Sequence, residues 1–364
     1  MRYYIIAGEA SGDLHGANLM RAIYKTDPEA EIRFWGGDAM KAVGGTMMRH
    51  IRDLAYMGII EVASHLSTVL GNIRFCKQDI SRFHPDAIIY IDYPGFNLKI
   101  AKWAKQQGYK NYHYISPQLW AWKKGRIRAM RRDLDQLFYI LPFEQDFYAH
   151  NNFPKAQYVG HPLLDALDRF VDAPSVAESD KKIIALLPGS RKQELQRTLP
   201  KMARLAHRHP EYQFVIAGMK LLGDAFYTPY LTQNLSVVYD KTYPLLSQAY
   251  AAVVCSGTAT LETALFKVPQ VVCYSANALS IAVARLLIGN KIKYISLANL
   301  IADRHIVKEL IQNEFNDESL EREFVKITTD DTCRAEIAEG YDQVHAILGN
   351  GGASLRVAQY IYNS

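Results

Sequence analysis

Two loops rich in glycine and proline carry the side chains best suited to chemistry. Each follows a short apolar run that is typical of a buried strand. The first loop, residues 92–97, begins with Asp92, and the second, residues 187–191, ends with Arg191. A carboxylate at the end of one sheet and a guanidinium at the end of another suggest a reaction in which a hydroxyl loses its proton while a phosphate departs.

Asp92 ends the strand predicted at Ala87–Ile91, and Pro94 and Gly95 then force a turn. A carboxylate held at such a point, shielded and with few polar neighbours, is suited to act as a general base. The alternative is a turn-forming acid whose side chain caps the amides of its own loop.

The second loop places Gly189, Ser190 and Arg191 between a strand and a helix. Arg191 can bind two diphosphate oxygens while the loop amides bind others, which would stabilise the charge on a leaving group. The competing interpretation is structural, with Ser190 as a helix N-cap and Arg191 in an ion pair with Glu194.

A third loop follows the strand predicted at 251–255 and consists of Ser256, Gly257, Thr258, Ala259, Thr260, Leu261 and Glu262. Its free amides suit a phosphate, and the acid can accept hydrogen bonds from two ribose hydroxyls. A capping box would use the same residues structurally.

The loop after the first predicted strand supplies five candidates for binding an anion: Gly8, Glu9, Ser11, Gly12 and Asp13. Small residues let a ligand approach the backbone, and the helix that follows offers free amides. The structural alternative is a tight turn with Asp13 as N-cap. The spacing matches neither the dinucleotide fingerprint nor a Walker loop.

A basic run preceded by tryptophans predicts contact with an anionic membrane surface through Trp120, Trp122, Lys123, Lys124 and Arg126. Residues 123–132 hold six cations. Nucleic-acid binding is disfavoured, because the run lacks interleaved glycines and aromatics and the rest of the chain is not basic.

No catalytic metal is predicted. Asp133 and Asp135 form a D-x-D pattern, but it precedes the strand predicted at 136–141 instead of following it. The four cysteines are widely spaced and show no metal-ligand pattern, which favours a reducing cytoplasm.

Alternation of apolar runs with helix-like segments predicts an α/β fold with parallel sheets. Strands are predicted at 3–7, 31–35, 87–91, 111–115, 136–141, 182–187, 213–217, 236–239, 251–255 and 270–274, and helices at 14–25, 66–83, 98–107 and 353–362.

The length of 364 residues favours two domains, and 49% hydrophobic with 22% charged residues is typical of a folded protein. The expected division is a first domain at 1–170, a linker at 171–180, a second domain at 181–350 and a final helical segment at 351–364 that could pack on the first domain. The start of the chain lacks signal-peptide features, and no window reaches 18 uncharged apolar residues.

Taken together, the chain resembles the lipid-A-disaccharide synthases over nearly its whole length. The matching blocks lie in order at residues 8–13, 57–58, 92–97, 116–117 with 120–122, 141–144, 160–161, 186–191, 256–262 and 307–310. The resemblance implies a GT-B fold, with two Rossmann-like doubly wound parallel-sheet domains facing across a cleft, and an inverting, metal-independent glycosyltransferase without cofactor.

The same resemblance implies the substrates and roles. UDP-2,3-diacylglucosamine and 2,3-diacylglucosamine 1-phosphate would give the β-1,6 disaccharide and UDP at the cytoplasmic face of the inner membrane. Asp92 would be the base, and the loop at residues 8–13 would lie on the acceptor side. Arg191 and residues 256–262 would hold UDP, and Asn299 would be a further UDP-site position. The sequence leaves a homodimer open. The alternatives are a UDP-N-acetylglucosamine 2-epimerase-like enzyme and a non-catalytic nucleotide-sugar sensor.

Overall fold

The structure is a computed structural model that describes residues 1–53, 66–120, 125–167, 176, 180–275 and 293–364. The chain divides into two units: unit 1 comprises Met1–Asp165 with Asn350–Ser364, and unit 2 comprises Ala166–Gly349. Most of the predicted linker, 171–180, lies outside the described residues.

Unit 1 is built on a seven-stranded sheet in which every neighbouring pair is parallel. The spatial order is β3-β2-β1-β4-β5-β6-β7. The strands are β1 (Arg2–Ala7), β2 (Glu31–Gly36), β3 (Thr46–His50), β4 (Ala87–Ile91), β5 (Asn111–Tyr114), β6 (Gln136–Tyr139) and β7 (Ala156–Tyr158). Strand β4 is buried along its whole length, because an interior strand of a parallel sheet is covered on both faces.

Among the described residues, six helices lie between these strands: α1 (Ala10–Thr26), α2 (Asp38–Val43), α3 (Leu66–Phe83), α4 (Pro94–Gln106), α5 (Arg126–Asp133) and α6 (Glu144–His150). The short helix α7 (Leu164–Leu167) follows β7 at the boundary between the two units. Helices α1 and α4 begin four residues before the predicted starts at Leu14 and Leu98. Proline at the first position of α4 is favourable, since the amide it lacks would have no partner inside the helix.

Unit 2 carries a six-stranded parallel sheet in the order β10-β9-β8-β11-β12-β13. Its strands are β8 (Ile183–Leu187), β9 (Gln213–Gly218), β10 (Leu235–Tyr239), β11 (Ala249–Cys255), β12 (Gln270–Tyr274) and β13 (Glu309–Ile311). Its described helices are α8 (Lys192–Arg208), α9 (Asp224–Tyr227), α10 (Thr242–Leu246), α11 (Ala259–Leu265), α12 (Leu297–Ala302), α13 (Asp317–Thr329) and α14 (Asp331–Leu348). The two parallel sheets confirm the predicted α/β class.

The last helix, α15 (Ala353–Tyr362), packs against α1 within unit 1. The Asp165 carboxylate accepts hydrogen bonds from the amides of Gly352 at 2.5 Å and Ser354 at 3.0 Å, which satisfies the free amides at the start of this helix. Arg356 donates to the carbonyl of Val159 at 2.8 Å. No helix in the described ranges is long and apolar enough to cross a membrane.

Candidate active site

The loops after β1 and β4 lie side by side at the carboxyl edge of the first sheet, because Ala7 pairs with Ile91 at the ends of these strands. The ring of Tyr93 covers Gly8 so closely that an added Cβ would lie 2.4 Å from a ring carbon. Only glycine fits at this position. The predicted acceptor-side loop and the Asp92 loop therefore form one surface.

Asp92 lies in a strained turn. Its φ is +44° and that of Tyr93 is +47°, two consecutive non-glycine residues in the left-handed region. The Asp92 amide donates to the carbonyl of Tyr114 on the neighbouring strand at 3.1 Å. The strand ladder thus continues into the turn, and the side chain leaves the strand direction at the sheet edge.

Asn97 holds this turn in place. Its side chain is fully buried, and its Nδ2 donates to the carbonyl of Asp92 at 2.8 Å. The same atom lies 3.4 Å from the carbonyls of Ile6 and Ile91. No role was predicted for Asn97 from the sequence. The sequence signal for this role is an amide side chain in the first turn of a helix that follows a strand.

Burial, followed by the nearby charge of Glu9, raises the pKa of Asp92 to about 6, against the opposing effect of a hydrogen bond from the Tyr93 amide. Asp92 is half-buried and Glu9 is exposed. A carboxylate with this pKa is largely ionised at pH 7 and still accepts a proton readily, which is what a general base requires.

Asp13 is engaged in unit 1 itself. Its buried carboxylate accepts hydrogen bonds from the amides of Gly37 at 2.6 Å, Ala39 at 2.9 Å and Met40 at 3.0 Å. It therefore caps α2 instead of its own helix. Of the remaining loop residues, Ser11 is exposed and Gly12 packs against Ala7.

Glu144 is a buried acid to which the sequence analysis gave no role, although it lies in a matching block. It is 1% exposed, and its Oε2 accepts a hydrogen bond from the Leu141 amide at 3.2 Å. Burial raises its pKa to about 8. At neutral pH the group is mainly an uncharged carboxyl.

Two of the five predicted membrane-contact residues are described. Trp120 is half-buried, and its ring meets that of Phe143 edge-on at 5.1 Å between centroids. Arg126 begins α5 and is half-buried. Trp122, Lys123 and Lys124 lie outside the described residues.

The two acids of the D-x-D pattern lie at the amino-terminal edge of the sheet, whereas Asp92 lies at its carboxyl edge. Asp133 pairs with Arg132 at 2.6 Å. Asp135 pairs with Lys105 at 2.5 Å and accepts from the Asn111 amide at 2.8 Å. Across the described ranges, no group of three or more His, Cys, Asp or Glu side chains could hold a metal ion.

In unit 2, the loops after β8 and β11 are neighbours, because Leu187 pairs with Val254. Gly189 has φ +120°, and an added Cβ would lie 2.8 Å from Oε2 of Glu194 and 3.6 Å from Sγ of Cys255. Glycine is therefore required where the two loops meet. This juxtaposition brings the predicted diphosphate and ribose residues to one edge of the sheet.

Arg191 is available to a ligand. It is the N-cap residue of α8, its side chain is 74% exposed, and Nη1 lies 3.7 Å from Oε1 of Glu194. An exposed ion pair at this separation contributes little. The second oxygen of Glu194 accepts from the Ser190 amide at 3.2 Å, so this acid mainly shapes the loop.

Glu262 lies in the first turn of α11, where burial raises its pKa to about 7. Its Oε1 accepts from the Tyr243 hydroxyl at 3.2 Å. Gly257 adopts φ +153°, and an added Cβ would meet no atom within 4 Å. Open space therefore lies over the loop backbone near a partly satisfied acid.

Three of the predicted nucleotide residues are committed to internal hydrogen bonds. The Ser256 hydroxyl donates to the carbonyl of Ile295 at 2.9 Å. The Thr260 hydroxyl donates to the carbonyl of Gly257 at 2.8 Å and accepts from the Leu297 amide at 3.1 Å. Asn299 is fully buried and bonded through both ends of its side-chain amide. These side chains fix the conformation of the loop that contains Gly257.

Comparisons with known proteins agree on one family. The sequence profile of a family described as lipid-A-disaccharide synthetase matches residues 3–352. The lipid-A-disaccharide synthase of Trichlorobacter lovleyi is 36% identical, covering 98% of this chain and 96% of that protein. The one of Syntrophus aciditrophicus is 38% identical over 97% and 95%.

A solved structure supports the fold. UDP-GlcNAc 2-epimerase from Neisseria meningitidis, bound to UDP-GlcNAc, superposes with a TM-score of 0.71 over all of both chains at 13% identity. Such low identity shows a shared architecture alone. With the two parallel-sheet units, it confirms the predicted GT-B fold.

Proposed function

The chain belongs to the lipid-A-disaccharide synthase family, and on this premise we propose that it transfers 2,3-diacylglucosamine from UDP to the 6-hydroxyl of 2,3-diacylglucosamine 1-phosphate. It is a glycosyltransferase of lipid A biosynthesis. The epimerase-like alternative is not favoured, because the likeness to the solved epimerase extends to fold alone.

Asp92 is the base of this proposal. Its ionised carboxylate removes the proton of the acceptor hydroxyl as the oxygen forms a bond to C1 of the donor sugar. The bond from C1 to the UDP oxygen breaks on the opposite face, which inverts the anomeric centre. The observation that carries this role is a half-buried carboxyl at the sheet edge whose pKa is raised to about 6.

The donor is proposed to bind at the carboxyl edge of the second sheet. Arg191 and the amides of Gly189 and Ser190 would take the diphosphate, while residues 256–262 would hold the remaining nucleotide, with Glu262 on the ribose hydroxyls. Charge builds on UDP as it departs, and a guanidinium with oriented amides can stabilise it. In this proposal no metal is required.

The acyl chains of both substrates suggest where the enzyme works. We propose that Trp120, Trp122, Lys123, Lys124 and Arg126 contact the anionic inner-membrane surface from the cytoplasmic side, as aromatic anchors beside cations do in peripheral proteins. Glu9 and Ser11 are the exposed side chains left on the acceptor-side loop, since Asp13 caps α2.

Replacing Asp92 with Asn tests the base. The variant keeps the size of the side chain but cannot take the proton, so kcat should fall about a hundredfold or more while UDP affinity stays unchanged. Arg191→Ala is the matched variant on the donor side, and its UDP affinity should fall about tenfold to a hundredfold. UDP release and calorimetric UDP titration measure the two effects.

Two outcomes contradict the assignments separately. Full activity in Asp92→Asn would remove Asp92 as the base. Wild-type UDP affinity in Arg191→Ala would remove the diphosphate role. A wild type that binds UDP-sugar but releases no UDP would favour a nucleotide-sugar sensor.

A further inference from the structure

We infer that Glu309 is a positioning residue for the UDP site, an inference that rests on the proposed function. Glu309 begins the edge strand β13 and is 7% exposed. Its carboxylate accepts hydrogen bonds from the Ile295 amide at 3.0 Å and the Ser296 amide at 2.9 Å. An acid from the sheet edge therefore fixes the turn that starts α12.

Asn299 completes this arrangement from inside α12. Its Nδ2 donates to Oε1 of Glu309 at 2.8 Å and to the carbonyl of Val307 at 2.9 Å. Its Oδ1 accepts from the amides of Ile306 at 2.8 Å and Val307 at 3.0 Å. Both amide hydrogens and both lone pairs are used, so Asn299 has no capacity left for a nucleotide. Any effect of Asn299 on UDP passes through the turn.

The turn before α12 is hydrogen-bonded to the loop after β11 at two points, one on each side of Gly257. Ser256 donates its hydroxyl hydrogen to the carbonyl of Ile295, and the Leu297 amide donates to the hydroxyl of Thr260. Thr260 also binds the carbonyl of Gly257, the residue with open space above it. A hydrogen-bonded path therefore runs from Glu309 to the exposed backbone of the nucleotide loop.

This path predicts which kinetic constant depends on Glu309. Binding groups must be held to within about 0.5 Å of their productive positions, so a loosened turn should weaken recognition of the UDP moiety. The proposed base, Asp92, belongs to unit 1, whereas Glu309 and its hydrogen-bond partners belong to unit 2. KM for the UDP-sugar should therefore rise while kcat stays nearly constant, the pattern expected when ground state and transition state lose the same contact.

Glu309→Gln is the first variant. It replaces one acceptor oxygen with an NH2 group that faces other donors, so UDP affinity should fall about tenfold or more, with kcat within about threefold of the wild type. Asn299→Asp should also weaken UDP binding, because it sets two carboxylates against each other. In the double variant the amide introduced at position 309 can donate to the carboxylate introduced at position 299, although that carboxylate still faces the Val307 carbonyl. The two losses of UDP affinity should therefore be less than additive.

Glu314→Gln is the matched control, because this acid is exposed just beyond β13 and should leave UDP binding unchanged. Calorimetric titration with UDP, melting temperature and steady-state kinetics give the readouts. Wild-type UDP affinity in Glu309→Gln would overturn the inference, and so would losses of UDP affinity that add fully in the double variant.

The inference is also overturned if all three variants fail to fold, because Glu309 and Asn299 would then be needed for the stability of unit 2 alone. If the wild type itself does not bind UDP, the proposed function fails first. If the wild type binds UDP and Glu309→Gln binds it equally well, only the positioning role of Glu309 is removed.

Discussion

At the level of single residues, the properties of Asp92 depend on its neighbours as much as on its own burial. Burial and the charge of Glu9 disfavour the ionised form, while the Tyr93 amide favours it, and the net pKa is about 6. A proton acceptor must be ionised to act. Activity should therefore be lost as the pH falls through about 6 and be present above it.

Glu9→Gln tests this electrostatic coupling. Removing the negative neighbour makes ionisation of Asp92 easier, so its pKa should fall and the acid limb of kcat/KM should move to lower pH by a few tenths of a unit to about one unit. A pH–rate profile from 5 to about 8 measures the shift.

Glu29→Gln is the control for this experiment. It makes the same charge change on an exposed residue just before β2, at the opposite edge of the sheet, and should leave the limb in place. If the acid limb of the pH profile moved equally in both variants, or in neither, it would not report the ionisation of Asp92 next to Glu9.

The sequence predicts the loops of the candidate site but not the hydrogen bonds that each of their side chains makes. Asp92, Gly189 and Gly257 follow strands, and a strand followed by glycine is visible in sequence. The partners of Asn299 are the backbone of 306–307 and a carboxylate at 309, which come near only through the fold. Asp13 likewise binds amides of a helix that starts beyond β2. Long-range pairing of this kind leaves no local pattern.

At the level of elements, α2 depends on a cap from another helix. It has six residues, too few to be stable alone, and three of its first amides, including that of its N-cap Gly37, are satisfied by Asp13. Asp13→Ala should lower the free energy of unfolding by about 2 kcal/mol, because it removes charge-assisted bonds to buried amides. Urea unfolding measures this loss, and acceptor KM should stay within about twofold.

Asp38→Ala offers a comparison within the same helix. This acid is 67% exposed and paired with the equally exposed Arg52, so its loss should change stability by less than about 0.5 kcal/mol. If Asp13→Ala instead kept full stability and raised acceptor KM, the carboxylate would serve the acceptor and not α2.

The strands that the sequence missed are β3, β7 and β13, and all three are edge strands. Interior strands such as β4 and β8 are apolar throughout, since both faces are covered. Strand β7 has three residues and none is buried, and β3 reads Thr-Met-Met-Arg-His. A short, half-exposed strand needs no apolar run, so its sequence resembles that of a loop.

At the level of the whole molecule, each sheet gathers its functional loops at its carboxyl edge, as expected for open α/β sheets. Unit 1 carries the proposed base, and unit 2 carries the proposed UDP site. The proposed substrates add one requirement that neither sheet meets, because their acyl chains would have to remain in a lipid environment while the sugar reacts. A surface that binds lipid is therefore part of the proposed enzyme.

The basic run is the part of the chain expected to bind lipid. Residues 123–132 hold six cations in a chain of net charge +5, and a lysine close to an anionic surface contributes about 1 kcal/mol to binding. Wild-type protein should float with vesicles that contain phosphatidylglycerol, less so at high salt, and not with purely zwitterionic ones. Reversing the charge of Lys123 and Lys124 together should weaken binding at least about tenfold, whereas the same reversal at the exposed Lys220 and Lys241 of unit 2 should not. Equal loss from both pairs would mean that net charge, and not the basic run, attracts the protein to lipid.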